Sequence, residues 1–309
     1  MVNGDALREK LEASGVPGAI SVWADVLHEG PVPGTLPPAR RRALRARFIA
    51  EGADAPPAAV EADLACWDAG LTAFAGHDEV VLWLEHDLFD QLALLHHLDC
   101  YADLDLGGRP LSLVCIGDHP SVERFIGLGQ LAPEALPPLY QARQPVSAAQ
   151  LALGRAGWTA FTGEDPTGLE RLADAGSAPL PFLAAALRRL LEEYPATGSG
   201  LPRTEQQVLA MLAEGPCPRL ALFRGMQEVE ESPFQGDLFF YRRLDLLAAP
   251  HRPLIEQRGD ELALTAAGAE VLAGGADWID DRWERWIGGV HLRGPRCWRR
   301  GENGRLRLV

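Results

Sequence analysis

Short apolar runs alternate with amphipathic helical spacing over the first 120 residues, and the two periods predict different elements. Residues 19–23, 79–84 and 110–116 are compact, rich in β-branched residues and apolar on both faces, as strands covered by helices on either side must be. Around them, 5–14, 37–51, 58–76 and 88–101 carry helix formers at helical spacing, and Gly107-Gly108 marks the turn into the third run. This alternation predicts an α/β fold over residues 1–120, a doubly wound, mostly parallel sheet of Rossmann or flavodoxin type. Its first strand looks incomplete: only Met1 and Val2 precede Asn3-Gly4-Asp5, which reads as a strand-to-helix turn with Asp5 as a helix cap, so either the strand is a stub or residues before Met1 are missing.

Beyond residue 120 the rhythm changes. Residues 121–198 read as a helical region packed on the first domain, with helices at 150–161 and 181–194 and a Gly/Pro/Ser-rich linker at 195–202. Residues 203–287 then offer helices at 204–213, 220–231 and 234–248, a hairpin at 253–264 turning at Arg258-Gly259-Asp260, and a helix from Thr265. That order resembles a winged helix-turn-helix module. Residues 288–309 form a Trp/Arg-rich hairpin or tail, with six arginines against Glu302 alone.

Charge sharpens this division. Of the formal charge of -14, residues 1–200 carry 27 acids and 14 bases, and residues 51–100 hold 11 Asp/Glu with no Lys or Arg. Phosphate binding needs a positive surface, so nucleic acid is excluded for the N-terminal part and left open only for the Arg-rich tail. The five cysteines are scattered without a C-x-x-C pair, which argues against a disulfide framework and a structural zinc site. No segment approaches a membrane span and no signal peptide is visible, so a cytoplasmic protein without a membrane partner is expected.

The polar residues fall where a doubly wound sheet binds ligands, just past the carboxyl ends of its strands. After the first strand come Asn3, Gly4 and Asp5. After the second come Asp25, His28 and Glu29. The third ends in Glu85-His86-Asp87, with Asp90-Gln91 one turn later, and the last is followed by Asp118-His119. Glu85, His86, Asp87, His28 and His119 are the candidate catalytic residues; Asn3, Gly4, Asp5, Glu29, Asp90 and Gln91 are candidate ligand contacts. Glu85, Asp87 and Asp118 offer hard oxygen ligands for a divalent metal, or a general acid/base pair with separated pKa values. Asp87 could instead simply cap the helix starting at Leu88. No NAD fingerprint and no P-loop nucleotide motif is present. The arginines at 40, 41, 42, 45 and 47 ring one helix and read as a solvated, salt-bridged face; otherwise they would draw an anionic substrate.

Three motifs carry a family resemblance: Asn3-Gly4-Asp5, the stretch from Trp23 to Pro33, and Leu82-Trp-Leu-Glu-His-Asp-Leu-Phe-Asp-Gln91. Over residues 1–120 the chain resembles the bacterial proteins grouped as domain of unknown function 1835, whose first strand is normally complete. The resemblance implies the same α/β fold and no particular activity. Two expectations therefore stand. One is a metal-dependent hydrolase or group-transfer enzyme acting on a small or phosphorylated substrate at the sheet edge. The other is a ligand-sensing regulator whose winged-helix module binds DNA or protein. In the second, the segment 234–247 sets only Arg242 and Arg243 against Asp237 and Asp245 as a recognition helix, which is poor in phosphate contacts.

Overall fold

The computed structural model describes residues 1–309. The protein is mixed α/β, with twelve α-helices and eleven short strands divided among small sheets. After α1 (Asp5–Ser14) and the two-residue β1 (Gly30–Pro31) come α2 (Pro38–Ala53), α3 (Pro57–Thr72), β2 (Val80–Glu85), α4 (Leu88–Asp103) and β3 (Leu111–Ile116). A short α5 (Leu136–Gln141) leads to β4 (Gln144–Pro145), α6 (Ala148–Thr162), α7 (Thr167–Ala175) and α8 (Leu183–Leu191).

β2 and β3 pair in parallel from Val80↔Leu111 to Glu85↔Ile116, and β4 adds antiparallel to the far edge of β3. On the other edge of β2 sits the start of the chain. Trp83 N donates to Met1 O (3.0 Å), and Val2 is bridged in parallel to both Trp83 and Val22. The run at 19–23, expected as a full strand, makes only this bridge. Val2 N donates to Ser21 O and Trp23 N donates to Val2 O, both at 2.9 Å. The terminal ammonium donates to Val81 O at 2.8 Å, and burial lowers its pKa to about 5.

Side chains leave β2 and β3 alternately, as strand geometry requires. Leu82, Leu84, Leu111 and Leu113 enter one core with α4, α6 and α8, while Trp83 and Val114 enter a second with Leu7 and Leu11 of α1. Both faces are buried, which explains why these strands read as continuous apolar runs.

The C-terminal part follows as α9 (Arg203–Ala213), β5 (Cys217–Pro218), α10 (Arg219–Val229), α11 (Asp237–Leu247), the hairpin β6 (Ile255–Arg258) and β7 (Glu261–Leu264), and α12 (Ala266–Leu272). Its sheet order is β5-β7-β6, over a core that includes Val208, Leu222, Phe240, Leu244 and Ile255. The tail makes β8 (Glu284–Gly288), β9 (Val290–Arg293), β10 (Trp298–Arg300) and β11 (Leu306–Leu308). β8 pairs in parallel with β1, so the C-terminal part is joined to the loop before α2. Segment 195–202 is no free linker: Thr197 N donates to Arg300 O, Trp278 N donates to Ser199 O, and Leu201 is buried. The Gly and Pro residues there provide turns whose polar groups the tail satisfies.

Buried charge holds α11 to the rest. Arg243 is buried and paired with Glu29 (2.6 Å), Glu205 (3.2 Å) and, closely, Glu193; Arg285 of β8 joins Glu205. One turn away, Phe239 stacks on Phe48 of α2 with centroids 5.7 Å apart, and Arg242 donates to Phe48 O. No helix is long and apolar enough to cross a membrane.

Candidate functional site

At the carboxyl end of β2 the strand stops in Glu85, and the chain turns within two residues into α4. Asp87 is the N-cap of that helix, its Oδ1 accepting from Asp90 N at 3.1 Å. Positions 87 and 90 lie three apart, so their side chains share a face. Glu85 comes off the strand onto the same spot. The carboxylates of Glu85, Asp87 and Asp90 thereby present ligand atoms all within 4.8 Å of one another, and all three residues are buried.

Hydrogen bonds from neutral donors hold this cluster; none of the three carboxylates has an Arg, Lys or His within ion-pair distance. Asp90 accepts from the Asn3 amide at 3.0 Å through each oxygen and from Glu85 N at 2.5 Å. Glu85 Oε1 accepts from Leu128 N at 2.6 Å. The loop carrying that N–H presses close, because a Cβ on Gly127 would lie 2.5 Å from Glu85 Oε2. Gln91 donates to the Glu85 carbonyl at 2.6 Å and so fixes the end of the strand. The N-terminus of α4, with its positive dipole end, is the remaining source of compensation.

Proton affinity follows from this environment. Burial raises the Glu85 carboxyl to about 7, aided by the charge on Asp87 and opposed by the Leu128 N–H. Burial likewise raises Asp87 to about 7. Asp90 is raised well above the usual carboxylate range, first by burial and then by its two acidic neighbours. Three oxygen donors with no cation are the donor set a hard divalent ion prefers.

His86 lies beside the cluster, half-buried between Phe125 and Phe182. Burial lowers its pKa, with Asp118 acting against that shift, and its Nδ1 is shielded without a partner. It lines a cleft of about 250 Å³ together with Leu88, Arg189 and Arg203.

The other candidates lie apart. Gly4 caps α1 with extended backbone, and Asp5 is exposed and paired with Arg8 at 3.1 Å. Asp118 is exposed and outside the group of three, whose third member is Asp90. His119 Nδ1 lies 2.8 Å from Ser121 Oγ. His28 is buried edge-on to Phe89 and Phe234, with neither ring nitrogen bonded, and burial lowers its pKa to about 3. Glu29 is engaged by Arg243 and accepts from Gln235 Nε2 at 2.9 Å. Of the residues along the strand ends, then, Asn3, Glu85, Asp87, Asp90 and Gln91 come together. The contribution of the 127–128 loop had no signal in the sequence, since it acts through backbone.

Compared with known proteins, the chain matches no family model, no curated protein and no solved structure.

Proposed function

We propose that the protein is a divalent-cation-dependent hydrolase or group-transfer enzyme acting on a small or phosphorylated substrate. One observation carries this reading: three buried carboxylates converge without any cationic side chain, an arrangement that is costly unless a proton or a cation neutralises it. Glu85, Asp87 and Asp90 would hold the ion, which when bound would polarise an oxygen of the substrate. Asn3 orients Asp90, and Leu128 N orients Glu85. His86, kept neutral by burial, is the acid/base group facing the cleft; Arg189 and Arg203 on its wall are themselves paired with Glu193, Glu230 and Glu192, so an anionic substrate would be held through the bound ion. On this reading the parallel pairing of Val22, Val2, β2 and β3 is the remnant of a doubly wound sheet, with the cluster where the strand order switches. The chain would be a divergent relative of the domain of unknown function 1835 proteins, working in the cytoplasm.

The test is calorimetric titration with Mg²⁺, Mn²⁺ and Ca²⁺ after chelator treatment, on wild type and Asp87→Asn. Saturable binding lost in the variant supports the reading. Wild type that binds none of these ions removes it.

A second reading rests on the order helix, strand, helix, helix, hairpin over α9 to β7, which resembles that of a winged helix. A regulator of this kind would bind protein sooner than DNA through α11, because that helix is packed on α2 and its Arg243 is consumed by Glu29, Glu193 and Glu205.

A further inference from the structure

Away from the carboxylates, a second cavity of about 420 Å³ opens among α2, α3, α4 and α6, and neither Glu85, His86, Asp87 nor Asp90 lines it. That volume lies in the range of small-molecule sites. Its inner wall is aromatic and apolar. Trp23 stacks on His96 with centroids 4.6 Å apart, Trp158 meets His96 edge-on at 4.8 Å, and Leu64, Leu71 and Leu104 complete the wall.

Most charged groups at the cavity are held in ion pairs, two of its acids sharing one arginine. Arg45 holds Asp25 in a buried pair, and Arg42 holds Asp68 at 3.0 Å. Asp99 and Asp103 share Arg155, at 3.5 and 2.5 Å. Arg41 remains. Its guanidinium stands 5.8 Å from the Trp158 ring centroid and makes no hydrogen bond or ion pair. Of the five arginines at 40–47, it is the one that lines this cavity with its donors unspent, and it acts on the nearby Asp99 only through its field. A planar guanidinium beside an aromatic wall is suited to a carboxylate on a flat apolar body, received through two parallel hydrogen bonds.

We propose that this cavity binds a small aromatic monocarboxylate, with Arg41 holding the carboxylate and the ring lying against Trp158 and the leucine wall. Neighbouring groups permit binding and not reaction. His96 is kept neutral by burial, so it neither competes for the anion nor donates a proton readily, and burial pushes the Cys100 thiol up to about 12, far from a nucleophilic thiolate. The site is independent of the cation site proposed above.

The test uses the full chain and two matched pairs, benzoate with benzamide and cinnamate with cinnamide, by calorimetry and thermal shift. Both carboxylates are expected to bind saturably and at least about tenfold more tightly than their amides, the scale of one charge-assisted pair. Arg41→Gln should erase that preference with little change in melting temperature, because Arg41 makes no hydrogen bond or ion pair and loses only its contact with the Trp158 ring. Trp158→Leu should weaken acid and amide alike. Amides binding as well as acids, a preference that survives in Arg41→Gln, or no saturable binding at millimolar concentration each overturns the proposal.

Discussion

The side-chain amide of Asn3 donates to both carboxylate oxygens of Asp90, 3.0 Å from each, across 87 positions of sequence. It ties the turn after the first strand to the first turn of α4, and it is one of the few donors available to three buried acids. Removing it leaves Asp90 with the Glu85 N–H as its main support. Asn3→Ala should therefore cost about 1–3 kcal/mol, the penalty of an under-satisfied buried group, read by urea unfolding at pH 8. Asn3→Asp, which adds a fourth carboxylate, should cost more. Equal stability of the two variants would contradict the electrostatic account.

Glu85→Gln keeps an oxygen for the Leu128 N–H while deleting one of three like charges. In chelator at pH 8 the variant should melt higher than wild type. Addition of Mg²⁺ or Mn²⁺ should raise the melting temperature of wild type and leave the variant nearly unchanged. A variant that melts lower in chelator would mean that the three acids do not repel one another.

Arg243→Met breaks the pairing with Glu29, Glu193 and Glu205 and leaves buried carboxylates short of a cation. A loss of about 3–5 kcal/mol is expected. The exposed pair Arg258–Glu256 is the control, and Arg258→Ala should change stability by less than about 1 kcal/mol. Equilibrium unfolding of the two variants side by side separates buried from surface pairing.

His28 supplies an acid-sensitive term. Its folded pKa is lowered to about 3, mainly by burial and then by Arg243, Arg45 and Arg189, with Glu193 opposing. Above the unfolded value of roughly 6.5 both states are neutral and pH has no effect through this group. Below it the unfolded chain takes up the proton first, so stability falls as pH drops and the loss levels off near the folded value. At pH 4 the loss is about 3 kcal/mol. His28→Phe, set among Phe89 and Phe234, should lose less stability than wild type between pH 7 and pH 4 in melting curves.

Much of the element order was legible because it depends on local rules. The apolar runs at 79–84 and 110–116 became β2 and β3 almost residue for residue, and 5–14 became α1. Helix α7, at residues 167–175, was not anticipated, and 19–23 fell short of a strand because strand formation depends on a partner and not on propensity alone. Among the site residues, Glu85, Asp87 and Asp90 were visible as a dense acidic run after a buried strand. Asp118 looked equivalent to them on the sequence and lies exposed in the fold.

The sequence by itself determined where strands and helices alternate, which strand ends carry acids, and that residues 51–100 hold acids with no Lys or Arg. Only the tertiary structure decided that Asp90 completes the trio, that the 127–128 backbone closes over Glu85, and that Arg243 is spent on Glu29, Glu193 and Glu205 instead of facing solvent. Periodicity and composition act over a few residues, so a chain displays them directly. Burial and pairing of charge depend on which distant segments share a low-dielectric interior, and that is fixed only when the whole chain has packed.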